Sequence, residues 1–446
     1  MRIDLDKIFS RARSLGVTEL EVVLQENREL DISGVKDKIE STRYVDEYYL
    51  GYRLLLGKRR ATYGSTITTT EDALRVLEQA VKIARVSPED PYWRSLPRRL
   101  GYQSEVSIYD DRVGRLEPRE AVEIVASSIQ TISGFDKRVS PVMVKLQASV
   151  IETLFANSYG EEARRKETIV FYAAGASARG EGGEGTYYEY RWYRRLSDLD
   201  YTSLSEKASK RALDSLRAKQ LETIKADTVF EGQVWASILM SLLTPAVTAD
   251  SIQEKRSPLI GKIGHQVAAE HISIVDDPYI PWFYGSKNVD DEGVRTVRKH
   301  VIRNGVLETY LYDHYTASRE GKESTGNAYR QQPWGNPRPW ATNMLLVEGD
   351  SSLEEIISET KRGIYITATI GQWLSNPISG QLNATISHGY LVENGEIKQP
   401  IKGMVVSAQF YEVLEKKLDL IGRGLECYTN ICSPPVRVRD IVLAGK

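Results

Sequence analysis

Apolar residues recur three and four positions apart in a few stretches of this chain and at every second position in many others, so period alone predicts short helices among many strands. Leu5 to Leu15 has the helical period. Alternating runs at Glu19 to Leu24, Leu30 to Val35 and Tyr44 to Leu56 predict strands, and Lys58-Arg59-Arg60 turns the chain into another at Ala61 to Ile67. Thr69 and Asp72 have capping-box spacing, in which each side chain satisfies the other residue's free backbone N–H. Ala73, Leu77, Ala80, Val81 and Ala84 then line one helical face. Three prolines and three arginines between Pro88 and Gly101 predict a linker.

Beyond the linker, Glu117 to Ile132 is helical by period, and longer strands follow at Val144 to Asn157, Glu167 to Ala174 and Thr186 to Arg195, with a turn at Asn157 to Gly160. Ser203 to Lys219 reads as a helix, Thr223 to Thr228 as a charged join, and Gly232 to Asp250 as the most apolar helix of the chain. Two Asn-Gly pairs, Asn304-Gly305 and Asn394-Gly395, lie between alternating runs and predict hairpins, because both central residues of such a turn need positive φ. Short helices are expected at Leu353 to Thr360 and Phe410 to Leu420. The expected fold is α+β in three parts: residues 1–88, residues 102–222 with a helix and long strands, and a β-rich unit at residues 226–446.

Composition narrows the function. With 446 residues, 41% of them hydrophobic, the chain can bury full cores, and 59 basic against 61 acidic residues leave no global field to recruit nucleic acid. The apolar run from Val234 to Val247 is too short to span a bilayer. MRIDLDKIF lacks an apolar signal core, and two cysteines, Cys427 and Cys432, fit a reducing cytoplasm.

Gly180, Gly182 and Gly185 spell G-x-G-x-x-G, but a strand-like TYYEYRWY follows where a helix is required, and Glu181 and Glu184 would repel phosphate; a hairpin loop is expected. In that strand the aromatics Tyr190, Trp192 and Tyr193 are expected to pack while the interleaved arginines run outward. The pairs Asp276-Asp277 and Asp290-Asp291, the latter followed by Glu292, have the composition of turns and loop anchors. Ser324, Thr325 and Asn327 of a polar loop could anchor the scaffold or line a peptide groove. His265, Glu270 and His271 form the only cluster of metal-ligand types; on a strand, Glu270 and His271 would point to opposite faces and could not converge. No G-x-S-x-G elbow is present.

The phrases VDDP, VDDEGV, IRNGVLETYLYD and STGNAYR, between Ile272 and Arg330, resemble the signature region of the TldD/PmbA family of metallopeptidase complexes, once described as modulators of DNA gyrase. The resemblance spans nearly the whole chain and is densest from Gly261 to Met404. It implies unfolded peptide as substrate and zinc held by an H-E-x-x-x-H helix, with a cysteine from near the C-terminus. Here the two histidine positions fall near Met240 and Pro245, the glutamate near Ser241 and the cysteine at Cys432. Without the histidines Cys432 is expected to be a buried small hydrophobe and the chain to hold no metal. The resemblance therefore implies a PmbA/TldE-like, non-catalytic subunit paired with a zinc-bearing TldD-type chain. The alternatives are an independent homodimeric peptidase using His265, His271 or Cys432, and a peptide-binding module without hydrolase activity.

Overall fold

The computed structural model describes residues 3–102, 105–181 and 183–446; Gly182 of the glycine motif lies outside them. The chain runs through α1 (Leu5–Ser14), β1 (Glu19–Val35), β2 (Lys38–Leu56), β3 (Arg59–Thr66), α2 (Thr70–Val86), α3 (Asp111–Gly114) and α4 (Pro118–Phe135). Next come β4 (Val139–Asn157), β5 (Glu162–Gly180), β6 (Gly183–Tyr193) and α5 (Tyr201–Ser215). These six strands pair antiparallel in the order β3-β2-β1-β4-β5-β6, so the segments on both sides of the linker share one sheet. β2, β4 and β5 each have 19 residues, a reach of about 60 Å.

Alternation divides the sheet into two unlike faces. One face is covered by helices along its length: Leu20, Val22, Leu50, Tyr52 and Leu54 pack under α1 and α2 at one end, and Leu30, Ile32, Leu146, Ala148 and Tyr172 under α4 and α5 at the other. α2 starts at the expected capping box, with Thr69 and Asp72 capping each other. The pattern predicted a break after Leu24, yet β1 runs straight through Gln25 to Glu29. Those residues are half-buried on both sides, so their polarity reflects wet surroundings, not the end of a strand.

In the C-terminal half β7 (Ile224–Phe230) leads into α6 (Gly232–Ala246), followed by β8 (Ile274–Asp276), β9 (Lys299–Arg303), β10 (Val306–Leu307), β11 (Ala328–Tyr329), β12 (Arg338–Pro339) and β13 (Met344–Leu346). β14 (Arg362–Ile370), β15 (Gln381–Glu393), β16 (Glu396–Ile401), β17 (Val405–Gln409), β18 (Leu418–Ile421), β19 (Glu426–Tyr428), β20 (Ile431–Ser433) and β21 (Val436–Ala444) complete it. One sheet has the order β10-β9-β8-β13-β20-β19; the other runs β14-β7-β21-β17-β15-β16, and a β14–β15 pairing closes it into a ring. The core of this half gathers Phe230, Trp235, Phe410 and the inward residues of both sheets.

Three expectations change here. The charged join at Thr223 to Thr228 is strand β7, parallel to β14 and antiparallel to β21, with Lys225 and Asp227 alternating with buried Ala226 and Thr228. The helix expected to reach Asp250 stops at Ala246, one residue past Pro245, and only a short turn follows at Ala249–Gln253. Phe410 to Leu420 makes a single helical turn and a wide turn before becoming β18. Both Asn-Gly hairpins form, with φ of 48° and 78° at Asn304-Gly305 and 53° and 77° at Asn394-Gly395.

Candidate functional site

The second face of the long sheet, carrying Glu21, Val23, Gln25, Thr153, Arg165 and Glu167, turns toward the C-terminal half, and a cavity of about 570 Å³ lies between them. Its floor is Ile151, Arg165, Glu167 and Ile169 of β4 and β5 with Arg194; its far side is Met240 of α6, Thr429 and Asn430; its walls include Lys287, Tyr329, Arg330, Arg338 and Trp340. A smaller cavity of about 270 Å³ shares Arg165, Asp291, Arg330 and Gln331 and continues the cleft over Gln25, Asn27 and Tyr49. A larger cavity of about 610 Å³ opens on the helical face of the sheet, among Glu26, Glu105, Glu152, Arg164 and Lys166. It touches none of the positions the sequence marks for chemistry, so the inter-half cleft is the candidate site.

The acidic phrases build the walls of this cleft. Asp276, fully buried, accepts hydrogen bonds from Thr342 N and Oγ1 at 2.7 and 2.8 Å, Asn327 Nδ2 at 2.8 Å and Lys299 Nζ at 2.8 Å. Asn327 also donates to the Trp340 carbonyl at 2.9 Å, so the pair fixes the wall segment Trp340 to Thr342. Asp290 accepts from the Ala328 N–H at 3.0 Å and Asp291 from the Arg330 N–H at 2.9 Å, fixing the wall at Tyr329. Asp277 closes its own turn through Tyr279 N and pairs with Arg298 at 2.8 Å. Ser324 and Thr325 bond to the backbone of Tyr312 behind the wall. Of the eight residues singled out in these phrases, Asp291 lines the cleft; Asp276, Asp290 and Asn327 act on its walls from behind.

A buried ionic network, not legible in the sequence, joins the floor to the walls. Arg165 reaches Glu167 at 3.0 Å and Asp291 at 2.9 Å; Arg194 reaches Glu167 at 2.6 Å. Beside it Arg53, 1% exposed, pairs with Glu21 at 2.6 Å and Glu292 at 2.7 Å, and Arg330 reaches both Glu21 oxygens at 2.7 Å. Burial pushes the carboxyls of Glu167 and Asp291 up, but the surrounding cations outweigh it and hold each at about 2: Arg165 and Arg194 for Glu167, Lys287 and Arg165 for Asp291. Asp290 is raised by burial and then by the charge of Glu292, against the backbone N–H donors it accepts. The expected outward run of arginines on β6 does not hold: Arg194 is buried, and Arg191 bonds Gln233 and pairs with Glu189. Only Arg195, just past the strand, runs outward, its side chain 39% exposed beside Asp198.

The positions where the resemblance places zinc ligands do not fit the metal. Met240 offers a thioether 3.8 Å from Thr429 Oγ1, Pro245 lies in the helix backbone, and Ser241 bonds the Ser237 carbonyl at 2.8 Å. Cys432 is buried but is not a free small hydrophobe: it faces Cys427 across the β19–β20 hairpin and is disulfide-bonded to it. That corrects the expectation of two reduced cysteines; the hairpin brings Cα atoms five residues apart in sequence to 4.0 Å. The segment from Gly261 to His271 is a set of turns, not a strand, because Val267 and Ala268 donate to the Gly305 carbonyl of the neighbouring hairpin. His265 and Glu270 are exposed, and His271 bonds the Leu418 carbonyl at 3.0 Å. Among the described residues no three His, Cys, Asp or Glu side chains converge as a metal site.

A helix-backed antiparallel sheet closed over a β-rich half, with a polar cleft between, is the architecture of a known class of metallopeptidase-related proteins. Family models match three consecutive stretches: PmbA/TldA metallopeptidase domain 1 at residues 20–84, central domain at residues 111–216 and C-terminal domain at residues 223–445. The metalloprotease PmbA of Escherichia coli O157:H7 is 25% identical over 96% of this chain and 92% of its own. An uncharacterised protein of Methanocaldococcus jannaschii is 33% identical over 63% of this chain and 64% of its own. In structure the chain is similar to TldE from Thermococcus kodakarensis, with a TM-score of 0.91 at 23% identity over 99% of this chain and 100% of that one. A Thermotoga maritima protein named as a modulator of a DNA gyrase gives 0.86 at 26% identity, with 99% of each chain covered. This chain belongs to the PmbA/TldD family. Among its described residues no helix is long and apolar enough to cross a membrane.

Proposed function

We propose that this chain is a PmbA/TldE-like, non-catalytic subunit of a cytoplasmic peptidase complex, and that its cleft holds unfolded peptide for a zinc-bearing TldD-type partner to cut. One observation carries the reading: where the family resemblance calls for histidines and a cysteine, the chain has Met240 at the cleft, Pro245 further along the helix and a buried sulfur already bonded to Cys427. A helix with neither imidazole nor thiolate cannot hold zinc to activate water, while the cleft beside it has a volume of about 570 Å³ and is lined by both apolar side chains and cations. The need for a partner is supported by a run of large exposed apolar side chains next to α6: Ile370, Trp373, Leu374 and Ile378 are 54%, 61%, 76% and 51% exposed. Such a cluster marks a contact surface more often than a free one.

Two measurements test the reading. The chain purified alone is expected to carry no stoichiometric zinc and to leave unfolded peptides intact; bound metal together with cleavage by the lone chain would overturn it. From native extract the tagged chain is expected to bring down a histidine-bearing relative in equal amount, and Leu374→Glu is expected to break that pairing without changing the melting curve.

A further inference from the structure

We propose that the 570 Å³ cleft recognises a carboxylate of its peptide, with Lys287 and Arg338 as the groups that bind it; this rests on the peptide-holding role argued above. Five cations line the cavity, Arg165, Arg194, Lys287, Arg330 and Arg338, against two carboxylates, Glu167 and Asp291. Counting Glu21 behind Arg330 still leaves the cations in excess.

The surplus falls on particular side chains. Arg165 and Arg194 spend their donors on Glu167, Asp291 and the carbonyls of Val289, Thr168 and Ser286. Arg330 spends its own on Glu21 and the carbonyls of Asp291 and Gly335. Lys287 is different: its side chain is 14% exposed, and its ammonium lies 3.5 Å from Asp291 and makes no hydrogen bond among the described residues. An ammonium has three donors, and one this enclosed is costly unless they are used. Arg338 has no carboxylate partner among the described residues; its guanidinium lies 5.8 Å from the centre of the Trp340 ring. A guanidinium held over an indole keeps its hydrogen-bonding edge free for a planar anion.

The remaining lining says what carries the anion. Ile151, Ile169, Met240, Tyr284, Tyr329 and Trp340 give an apolar enclosure large enough for a few residues of chain. A bare inorganic ion would leave that surface uncovered, whereas the end of a peptide covers it and places a carboxylate on the cations. The carboxylate can come from the C-terminus or from an acidic side chain.

The test uses the full chain and three labelled hexapeptides of otherwise neutral residues, blocked at the N-terminus: one with a free C-terminal carboxylate, its carboxamide, and a carboxamide ending in Glu. In fluorescence anisotropy the free acid, the Glu peptide or both are expected to bind about tenfold or more tightly than the neutral carboxamide, the effect of one charge-assisted contact. Which of the two gains identifies the source of the carboxylate. Lys287→Gln and Arg338→Gln are expected to bring the ratio of acid to carboxamide affinity down toward one, whatever they do to carboxamide binding itself; should Lys287→Gln fail to fold, the exposed Arg338 carries the test alone. Equal binding of all three peptides would overturn the carboxylate and leave the peptide-holding role standing. A gain that survives both substitutions would overturn the assignment to these residues, and no binding of any peptide would sink both readings.

Discussion

At the scale of single residues, the cleft depends on charges buried in pairs. Arg53 is enclosed between Glu21 and Glu292, and removing one member of such a set strands the others without water. Arg53→Met is therefore expected to cost about 3 kcal/mol or more in urea unfolding; a loss below about 0.5 kcal/mol, as for an ordinary surface change, would show that the set is not coupled. The acid response follows from Glu167 and Asp291, each held at about 2 in the folded chain. Their unfolded values lie near 4, so the folded state binds fewer protons, and the stability they contribute is full above that value and lost as pH falls through about 2. The size is on the order of 3 kcal/mol each. Melting curves between pH 5 and pH 2 are expected to fall steeply, and less steeply in Glu167→Gln; parallel slopes would rule out the assignment.

At the scale of elements, periodicity located the helices and most strands of the N-terminal half, the capping box of α2 and both Asn-Gly hairpins, because each is a local signal. It lost β1 at Gln25 to Glu29 and β7 at Thr223 to Thr228 because both are held by neighbours far away in sequence: the first has polar, half-buried surroundings, and the second buries only the small Ala226 and the polar Thr228, which make no apolar alternation. The same cause hid Arg165, Glu167 and Arg194, whose chemistry comes from partners up to 126 residues away. A trace was present, since Arg165 and Glu167 are two apart on a strand and so share a face. The Asp-Asp phrases were legible as anchors, but not which wall each one holds. The disulfide was missed because its spacing matches no sequence signature, and only the hairpin register sets Cys427 opposite Cys432. Thiol titration of the unfolded, unreduced chain is expected to find no free cysteine. Reduction, or Cys427→Ser with Cys432→Ser, is expected to lower stability by about 2 kcal/mol, the entropy of a loop this short, and to loosen Thr429 and Asn430 at the edge of the cleft.

At the scale of the molecule, two halves with separate cores are closed on each other by polar contacts and by close backbone approach. Glu21 to Arg330, Arg53 to Glu292 and Arg165 to Asp291 all cross from the sheet to the C-terminal half, so calorimetric unfolding is expected to be a single transition. A close backbone approach lies at Gly51 and Gly64, register partners on β2 and β3. A Cβ on Gly51 would fall 2.3 Å from the Pro333 carbonyl oxygen, and one on Gly64 would fall 2.3 Å from Trp334 Cβ. The loop after Arg330 therefore rests on bare backbone, and the end of the cleft bounded by Gln331 and Pro333 is only as closed as that contact permits. Gly51→Ala leaves the strand free to form but must lift the loop, at about 1–3 kcal/mol. Gly134→Ala, in α4 with no atom within 4 Å of the added methyl, is the control expected to be neutral or stabilising. If the cleft is a closed peptide site, Gly51→Ala is expected to split the calorimetric transition, redden the Trp334 emission and weaken binding of all peptides alike. A Gly51→Ala protein that melts and binds like the Gly134→Ala control would mean that the two halves are held together elsewhere.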